Sequence, residues 1–277
     1  MPLVNKKEKS VSSKGFIRII FLLSGMFSAL LPLHTCADEE SHIVLEQFTF
    51  NPVANPMADV DEAIKGAIKR DKLLLLVLGA QWCHDSRGLA SRFSNEKLLD
   101  VIESKYHTVF VDVGYLQDRR NITQRFGYPS YFATPTVMVI EPKSEQLLNG
   151  DSMDIWAFAA SIILEDYIDY FSDDEFHIKT NSELQNETFT AIQAFANKQA
   201  ERLNRAYIKL SPMLAQSDAG DAPDEFVPLW KEVRRFRLAL QKDIIELTKE
   251  ANKTGTDSNL VFPEYAQFSW EQAEVSE

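Results

Sequence analysis

Hydrophobic residues follow two different spacings over residues 57–171. At the start of this stretch, four apolar residues recur at the spacing of a helix, namely Val60, Ala63, Ile64 and Ala67. The run K-L-L-L-L-V-L-G that follows does not alternate with polar residues, and Gly79 closes it. The first pattern predicts an amphipathic helix over 57–70, and the second is typical of a strand that is buried on both faces.

Both spacings recur further along the chain. The predicted elements are helices over 83–93, 94–105 and 121–126, strands over 107–113, 135–141 and 146–148, and one long amphipathic helix over 151–171. The helix over 94–105 has Ser94 or Asn95 as its expected N-cap. Strands separated by helices in this order predict an α/β fold, with a central mixed sheet flanked by helices.

Beyond residue 171 the strand signals stop, and residues 172–252 predict a helical hairpin with a polar loop over 216–224. The first helix carries a heptad-like seam, interrupted at Gln199, of Phe189, Ile192, Ala196, Leu203, Ala206, Leu210 and Met213. The second carries Leu229, Val233, Phe236, Leu240, Ile244 and Leu247. Two interpretations stay open: the hairpin packs on itself and on the α/β domain, or it binds a second copy or another protein. Residues 253–277 predict an irregular, acidic tail with aromatic residues that lies on the body.

Residues 1–37 have the pattern of a secretory signal peptide. A basic lead precedes an apolar run over 19–33, and small residues at Thr35 and Ala37 favour cleavage after Ala37. We therefore expect an exported protein, in the bacterial periplasm, whose residues 38–56 form a lead-in to the domain. The alternative is an uncleaved N-terminal anchor, and contact with a membrane is expected only in that case.

Cleavage changes both the charge and the cysteine count. It removes five of the 29 basic residues and one of the 41 acidic ones, which leaves 24 and 40 and a net charge of −16. Binding to nucleic acid is not expected, because phosphate contacts need clustered positive charge. It also removes Cys36, so Cys83 becomes the single cysteine and no internal disulfide can form. A free thiol at Cys83 in an oxidising compartment needs an explanation, either as a reactive thiol or as an inert one at a site that has lost its chemistry.

The stretch A-Q-W-C-H-D-S-R, residues 80–87, follows the first buried strand and begins the next helix. Further along, Thr134 and Pro135 stand immediately before a buried strand. A Trp-Cys pair at a strand-to-helix junction and a later Thr-Pro resemble the thioredoxin fold. Within that superfamily the stretch is similar to a group of exported bacterial proteins with a W-C-H-D-S site. The resemblance implies that Pro135 is cis and faces Cys83, and that Trp82, Thr134 and Pro135 contact an extended substrate.

The chemistry expected at Cys83 follows from its place at a helix N-terminus. The unpaired N–H groups and the dipole of the helix stabilise a thiolate, which is the nucleophilic form of cysteine. His84 and Arg87 add to this tuning of the thiol, and Asp85 opposes it. The same position predicts that the sulfur is accessible rather than buried.

Ser86 occupies the position where a C-x-x-C site has its second cysteine. It can donate a hydrogen bond to the sulfur of Cys83, but it cannot form a disulfide, so an external thiol must release any bound substrate. The resemblance also implies a buried acid six residues before Cys83, and Val77 stands there instead. The site is therefore expected to form mixed disulfides without an internal resolving group or that acid.

Two functions follow from these residues, and the sequence leaves open whether the chain is an enzyme. The first is thiol–disulfide exchange through Cys83, isomerase-like or thiol-transferring, on a thiol- or disulfide-containing protein or a small thiol such as glutathione. The alternative is a non-catalytic binding or assembly module that uses the hairpin for protein contacts. No cofactor and no metal site is expected. His84, Asp85 and Ser86 are consecutive on the helix and cannot form a hydrolase relay. For the same reason Cys83, His84 and Asp85 cannot converge on a metal.

Overall fold

The computed structural model describes residues 48–176 and 189–274. The predicted signal peptide over 1–37, its cleavage site and most of the lead-in segment over 38–56 lie outside the described residues. From the lead-in, Phe48 and Phe50 are described, and both are buried.

The centre of the molecule is a four-stranded mixed sheet. Its strands are β1 (Leu73–Gly79), β2 (Tyr106–Asp112), β3 (Thr136–Glu141) and β4 (Gln146–Leu147). The spatial order is β2-β1-β3-β4, with β1 parallel to β2, β3 antiparallel to β1 and β4 antiparallel to β3. All seven residues of β1 are buried, as its unbroken apolar run predicts. Each leucine that this strand buries contributes about 1.5–3 kcal/mol to folding.

The helices are α1 (Pro56–Arg70), α2 (His84–Phe93), α3 (Glu96–Lys105), α4 (Arg120–Arg125), a 3-10 helix (Met153–Ser161), α5 (Leu164–Ser172), α6 (Thr190–Asp218), α7 (Phe226–Thr254) and α8 (Ser269–Glu274). Asn95, one of the two expected caps, begins α3 by accepting a hydrogen bond from Lys97 N.

Alternate residues of β1 belong to two different cores, one on each face of the sheet. One core joins Leu74, Leu76 and Leu78 to Ile64 of α1. The other joins Leu73, Leu75 and Val77 to Leu89 and Phe93 of α2 and Phe171 of α5. Helices therefore cover both faces, and the prediction of an α/β thioredoxin fold with a C-terminal helical region is confirmed.

The prediction of one long helix over 151–171 is wrong. The segment forms the 3-10 helix and α5, and between them Ile162 and Ile163 have extended backbones with ψ of 133° and 159°. Two adjacent β-branched residues favour such a break. Tertiary contacts also hold the first half in place, because Ala160 N donates to Asp85 Oδ1 over 3.1 Å and Ala160 packs on Gly88 of α2.

The hairpin helices α6 and α7 pack on each other and on the sheet domain. The core that contains Leu76 and Leu78 also contains Leu203 and Leu210 of α6 and Leu240 of α7. Most of the predicted seam is thus buried within the chain itself. The buried face shifts by one residue near the end of each helix, so that Leu214 of α6 is buried instead of Met213, and Ile245 of α7 instead of Ile244. A straight helix of 3.6 residues per turn drifts from a strict heptad in this way.

The tail is partly helical, because α8 follows an irregular segment over 255–268. It lies on the hairpin: Phe268 and Tyr265 pack edge-on against Phe236, and Arg202 binds Glu271 at 2.7 Å. Within the described ranges, none of the helices is both long and apolar enough to cross a bilayer.

Gly88→Ala tests the packing of α2 against the 3-10 helix. In an exposed helix, alanine in place of glycine stabilises by up to about 1 kcal/mol. At Gly88, however, a Cβ would lie 2.7 Å from Ala160 Cβ and 2.8 Å from Ala160 Cα. We therefore expect the free energy of unfolding to fall by about 1–3 kcal/mol, measured by urea denaturation. Gly150→Ala is the control, since its Cβ would have 3.4 Å to the nearest atom. Equal or greater stability of Gly88→Ala would contradict the packing.

Candidate functional site

Cys83 is the N-cap of α2, at the end of the short turn that follows β1. Its backbone is extended, with φ −83° and ψ 124°, and its carbonyl accepts a hydrogen bond from Arg87 N at 3.1 Å. The Sγ–H donates to Thr134 O over 3.0 Å, and Thr134 Oγ1 lies 3.3 Å from Sγ as a donor. The bond between Thr134 and Pro135 is cis, as expected. The fold thus brings Cys83, Thr134 and Pro135 together from two distant parts of the sequence.

The sulfur is not as accessible as its position at a helix N-terminus predicts. Cys83 is only 9% exposed, and Thr134 is 3% exposed. The reason is tertiary: Thr134 lies against the sulfur, and the whole segment over 128–135 is buried. The expectation of an accessible thiol is therefore wrong for this conformation.

Ser86 is also placed differently from the prediction. It is fully buried, and its Oγ accepts a hydrogen bond from Ala80 N at 3.3 Å. Among the described contacts, Ser86 makes no hydrogen bond to Cys83 Sγ. Its hydroxyl instead satisfies a backbone N–H at the turn between β1 and α2, so this serine has a structural contact of its own.

Trp82 lies beside the site and joins three segments. Its Nε1 donates to Gly114 O over 2.8 Å, in the loop after β2. Its ring also packs edge-on against Trp230 of α7, with the centroids 6.0 Å apart. Trp82, one of the three residues that the resemblance assigns to a substrate, is thus used by the chain's own contacts.

The three residues expected to tune the thiol point in different directions. His84 and Arg87 are exposed, and Arg87 donates to the carbonyl of Gln81. The carboxylate of Asp85 accepts from Ala160 N. The contacts of Asp85 and Arg87 are therefore with backbone groups, of the 3-10 helix and of the turn before α2 respectively.

Sequence reasoning missed a buried acid at this end of the sheet. Val77 is fully buried in β1, but Asp112, at the end of β2, pairs in register with Gly79 and is 8% exposed. Burial raises the pKa of the Asp112 carboxyl, whereas the N–H of Gly114 and the charge of Arg119 lower it. The sequence shows this acid at the end of the apolar run T-V-F-V-D. Only the parallel pairing of β2 with β1 places Asp112 beside the end of β1.

Sequence reasoning also missed that the hairpin covers this end of the sheet. Besides Trp230 on Trp82, the contacts from α6 and α7 include Tyr207 on Tyr131, Asp218 on Tyr115, Glu201 on Arg120 and Arg234 on Phe158. These contacts reach the segments that follow β1 and β2, the segment before β3, and the 3-10 helix that packs on α2. In the described part of the chain, no group of three His, Cys, Asp or Glu side chains could hold a metal ion.

Ser86→Ala tests the structural contact of the serine. The variant leaves Ala80 N buried without its acceptor, so we expect the free energy of unfolding to fall by about 1–3 kcal/mol. The rate at which iodoacetamide alkylates Cys83 should stay near that of the unaltered chain. Ser94→Ala is the control, because Ser94 Oγ is a donor to Ala90 O in a half-buried position. A large fall in alkylation with unchanged stability would instead support a direct contact of Ser86 with the sulfur.

Comparison with known proteins agrees with the fold. Residues 55–142 match the family described as thioredoxin-like. Among solved structures, the crystal structure of disulphide isomerase from Xylella fastidiosa Temecula1 is similar, at 25% identity and a TM-score of 0.40, covering 44% of this chain and 93% of that one. A comparison with curated proteins gave no match. Since the family match ends before β4, the hairpin lies outside it. The chain therefore contains a thioredoxin-like domain, in which Cys83 at the start of α2 meets the segment that ends in cis-Pro135.

Proposed function

We propose that this protein carries out thiol–disulfide exchange with Cys83 as its single nucleophile. The observation that carries the proposal is the contact of Cys83 Sγ, at the N-terminus of α2, with Thr134 next to cis-Pro135. The match of residues 55–142 to the thioredoxin-like family supports a function of the thiol–disulfide oxidoreductase type at a coarse level.

The exchange has two steps. The Cys83 thiolate attacks one sulfur of a disulfide, a mixed disulfide forms, and the other sulfur leaves as a thiolate. An external thiolate then attacks the substrate sulfur of the mixed disulfide, and the Cys83 thiolate leaves. The chain is unchanged overall, so the cycle moves a thiol group or rearranges disulfides rather than reducing them with its own electrons.

The residues around the sulfur have separate roles in this mechanism. Thr134 O accepts the hydrogen bond of the thiol, and Thr134 Oγ1 can donate to the thiolate once the proton leaves. The free N–H groups of the first turn of α2 stabilise the anion. Ser86 offers no second sulfur, and its hydroxyl is bound to Ala80 N. Resolution therefore needs a thiol from outside, which a protein or a small molecule such as glutathione supplies.

We further propose that the protein works outside the cytoplasm. The signal-peptide pattern over 1–37 supports export, and an oxidising compartment supplies disulfides for Cys83 to attack.

The proposal predicts a single, lasting adduct with a small disulfide. In the full chain carrying Cys36→Ser, treatment with glutathione disulfide should add one glutathionyl group at Cys83, detected by mass spectrometry. The adduct should persist until reduced glutathione is added, because no internal thiol can displace it. Cys83→Ser in the same background should give no adduct. Absence of the adduct in the native chain, alongside its formation in urea, would contradict the proposal.

Ser86→Cys gives a sharper test of the missing resolving group. With a second thiol one turn along α2, the adduct should be released by attack of that thiol, and an internal disulfide should take its place. We expect the adduct to be much shorter-lived than in the parent chain at equal pH, measured by quenched mass spectrometry. An equally persistent adduct would show that geometry, rather than the absence of a thiol, limits release.

A second function is supported by the burial of the site. Cys83 and Thr134 are almost inaccessible, and Trp82 is partly covered by α7. These features favour a binding or assembly module in which the thiol has no catalytic use. Under this alternative, Cys83→Ser keeps the cellular function, whereas substitutions on the exposed face of the hairpin abolish it. The opposite result supports exchange chemistry.

A further inference from the structure

The segment over 128–135, which we call the cis-proline loop, has no regular secondary structure and yet every residue in it is buried. Loops normally lie on the surface, because their backbone polar groups need water. Here the carbonyl groups have protein partners instead. Pro129 O accepts from Gln124 Nε2, Ala133 O from Thr136 Oγ1, and Thr134 O from Cys83 Sγ.

The hairpin covers the cis-proline loop and supplies one further hydrogen-bond donor to its carbonyl groups. The ring of Tyr207, on α6, stacks on Tyr131 with centroids 5.1 Å apart and planes at 28°. Its hydroxyl donates to Tyr131 O over 3.0 Å. From α7, Gln241 Nε2 donates to Tyr128 Oη at 2.9 Å. Burial raises the pKa of Tyr207 and of Tyr128, so both hydroxyls stay protonated.

The contact between the hairpin and the loop includes polar atoms that cost stability. Arg237, on α7, is 6% exposed, and its Nη1 donates to Tyr207 Oη at 3.4 Å while its guanidinium lies 5.3 Å from the ring of Trp230. Within the described residues, Arg237 has no carboxylate partner, and its Nε and Gln241 Oε1 are buried without hydrogen bonds. Apolar residues would pack two helices on a loop at lower cost. The hairpin nevertheless places polar side chains at its contact with the loop.

The part of the cis-proline loop that Tyr207 contacts lies close to the nucleophile, Cys83. Tyr207 stacks on the ring of Tyr131 and donates a hydrogen bond to its carbonyl. Tyr131 is three residues before Thr134, and both oxygen atoms of Thr134 contact Cys83 Sγ. Tyr131 Oη also donates to Gln117 O over 2.7 Å, which ties the loop to the segment after β2. A shift of the loop at Tyr131 is thus transmitted along a short, fully buried stretch to the sulfur.

We propose that Tyr207 is a positioning residue for the Cys83 site, supported by Arg237 and Gln241. The hairpin orders the cis-proline loop from behind, and this sets the contact of Thr134 with the sulfur. The inference deepens the proposed function and rests on it for its catalytic meaning, although the effect on the thiol itself can be measured separately.

Tyr207→Phe tests this by removing one hydroxyl and keeping the stacked ring. The matched control is Tyr106→Phe: Tyr106 is equally buried and donates to a backbone carbonyl, Phe171 O, also at 3.0 Å, but at the other end of the sheet. Both are made in the full chain with Cys36→Ser. Iodoacetamide alkylation of Cys83 is followed over a pH series, and stability is followed by urea denaturation.

We expect both variants to lose stability, Tyr207→Phe somewhat more because Arg237 Nη1 also loses its acceptor, but only Tyr207→Phe to change the thiol. Its alkylation should rise about fivefold, the factor that corresponds to one hydrogen bond, and the midpoint of its pH profile should shift. Gln241→Met, which removes the donor to Tyr128 and the unpartnered Oε1, should act in the same direction and serves where Tyr207→Phe folds poorly. Rates and pH profiles equal to those of Tyr106→Phe would overturn the proposal.

These measurements separate the two proposals. Alkylation requires no disulfide exchange, so it reports on the positioning of Cys83 even in a chain that forms no glutathione adduct. A native chain that alkylates normally but gives no adduct would contradict the exchange function alone. A chain that forms the adduct and does not respond to Tyr207→Phe would contradict the positioning alone.

Discussion

The contact between Cys83 Sγ and Thr134 depends on the pairing of β1 with β3. Cys83 follows β1, Thr134 precedes β3, and the antiparallel register sets Leu78 opposite Thr136. A slip of one residue would turn every side chain of β3 to the other face of the sheet. Because β1 is buried on both sides and feeds two cores, such a slip would cost several buried side chains at once. The hydrophobic core therefore fixes where the sulfur and the threonine meet.

The hairpin adds a second constraint at the same end of the sheet. Helices α6 and α7 contact the segments after β1 and β2 and the segment before β3, which are the three places from which a site at this end is built. These contacts cover the cis-proline loop, whose Thr134 in turn lies against the sulfur of Cys83. We therefore expect substitutions at this interface to change both the order of the cis-proline loop and the accessibility of the Cys83 thiol.

Much of this arrangement could be predicted from local pattern. The order of strands and helices, the buried central strand and the Asn95 cap follow from periodicity and capping chemistry. The predictions that are wrong have a common cause, because contacts in the folded chain override the local pattern. The segment over 151–171 has a helical apolar pattern, but contacts of Ala160 with Asp85 and Gly88 and two β-branched isoleucines divide it. Likewise Ser86 was expected to reach the sulfur, yet a backbone N–H of the turn takes its hydroxyl.

By itself, the sequence determined that a cysteine, without a second cysteine one turn later, begins a helix after a strand buried on both faces. It did so because spacing and residue type are local properties. Only the tertiary structure decided that Cys83 is nearly buried, that Thr134 lies against its sulfur, and that Tyr207 holds the loop behind it. Those facts depend on contacts between residues far apart in the chain. The spacing of hydrophobic residues predicts which face of an element is buried, but not which distant side chain packs against it.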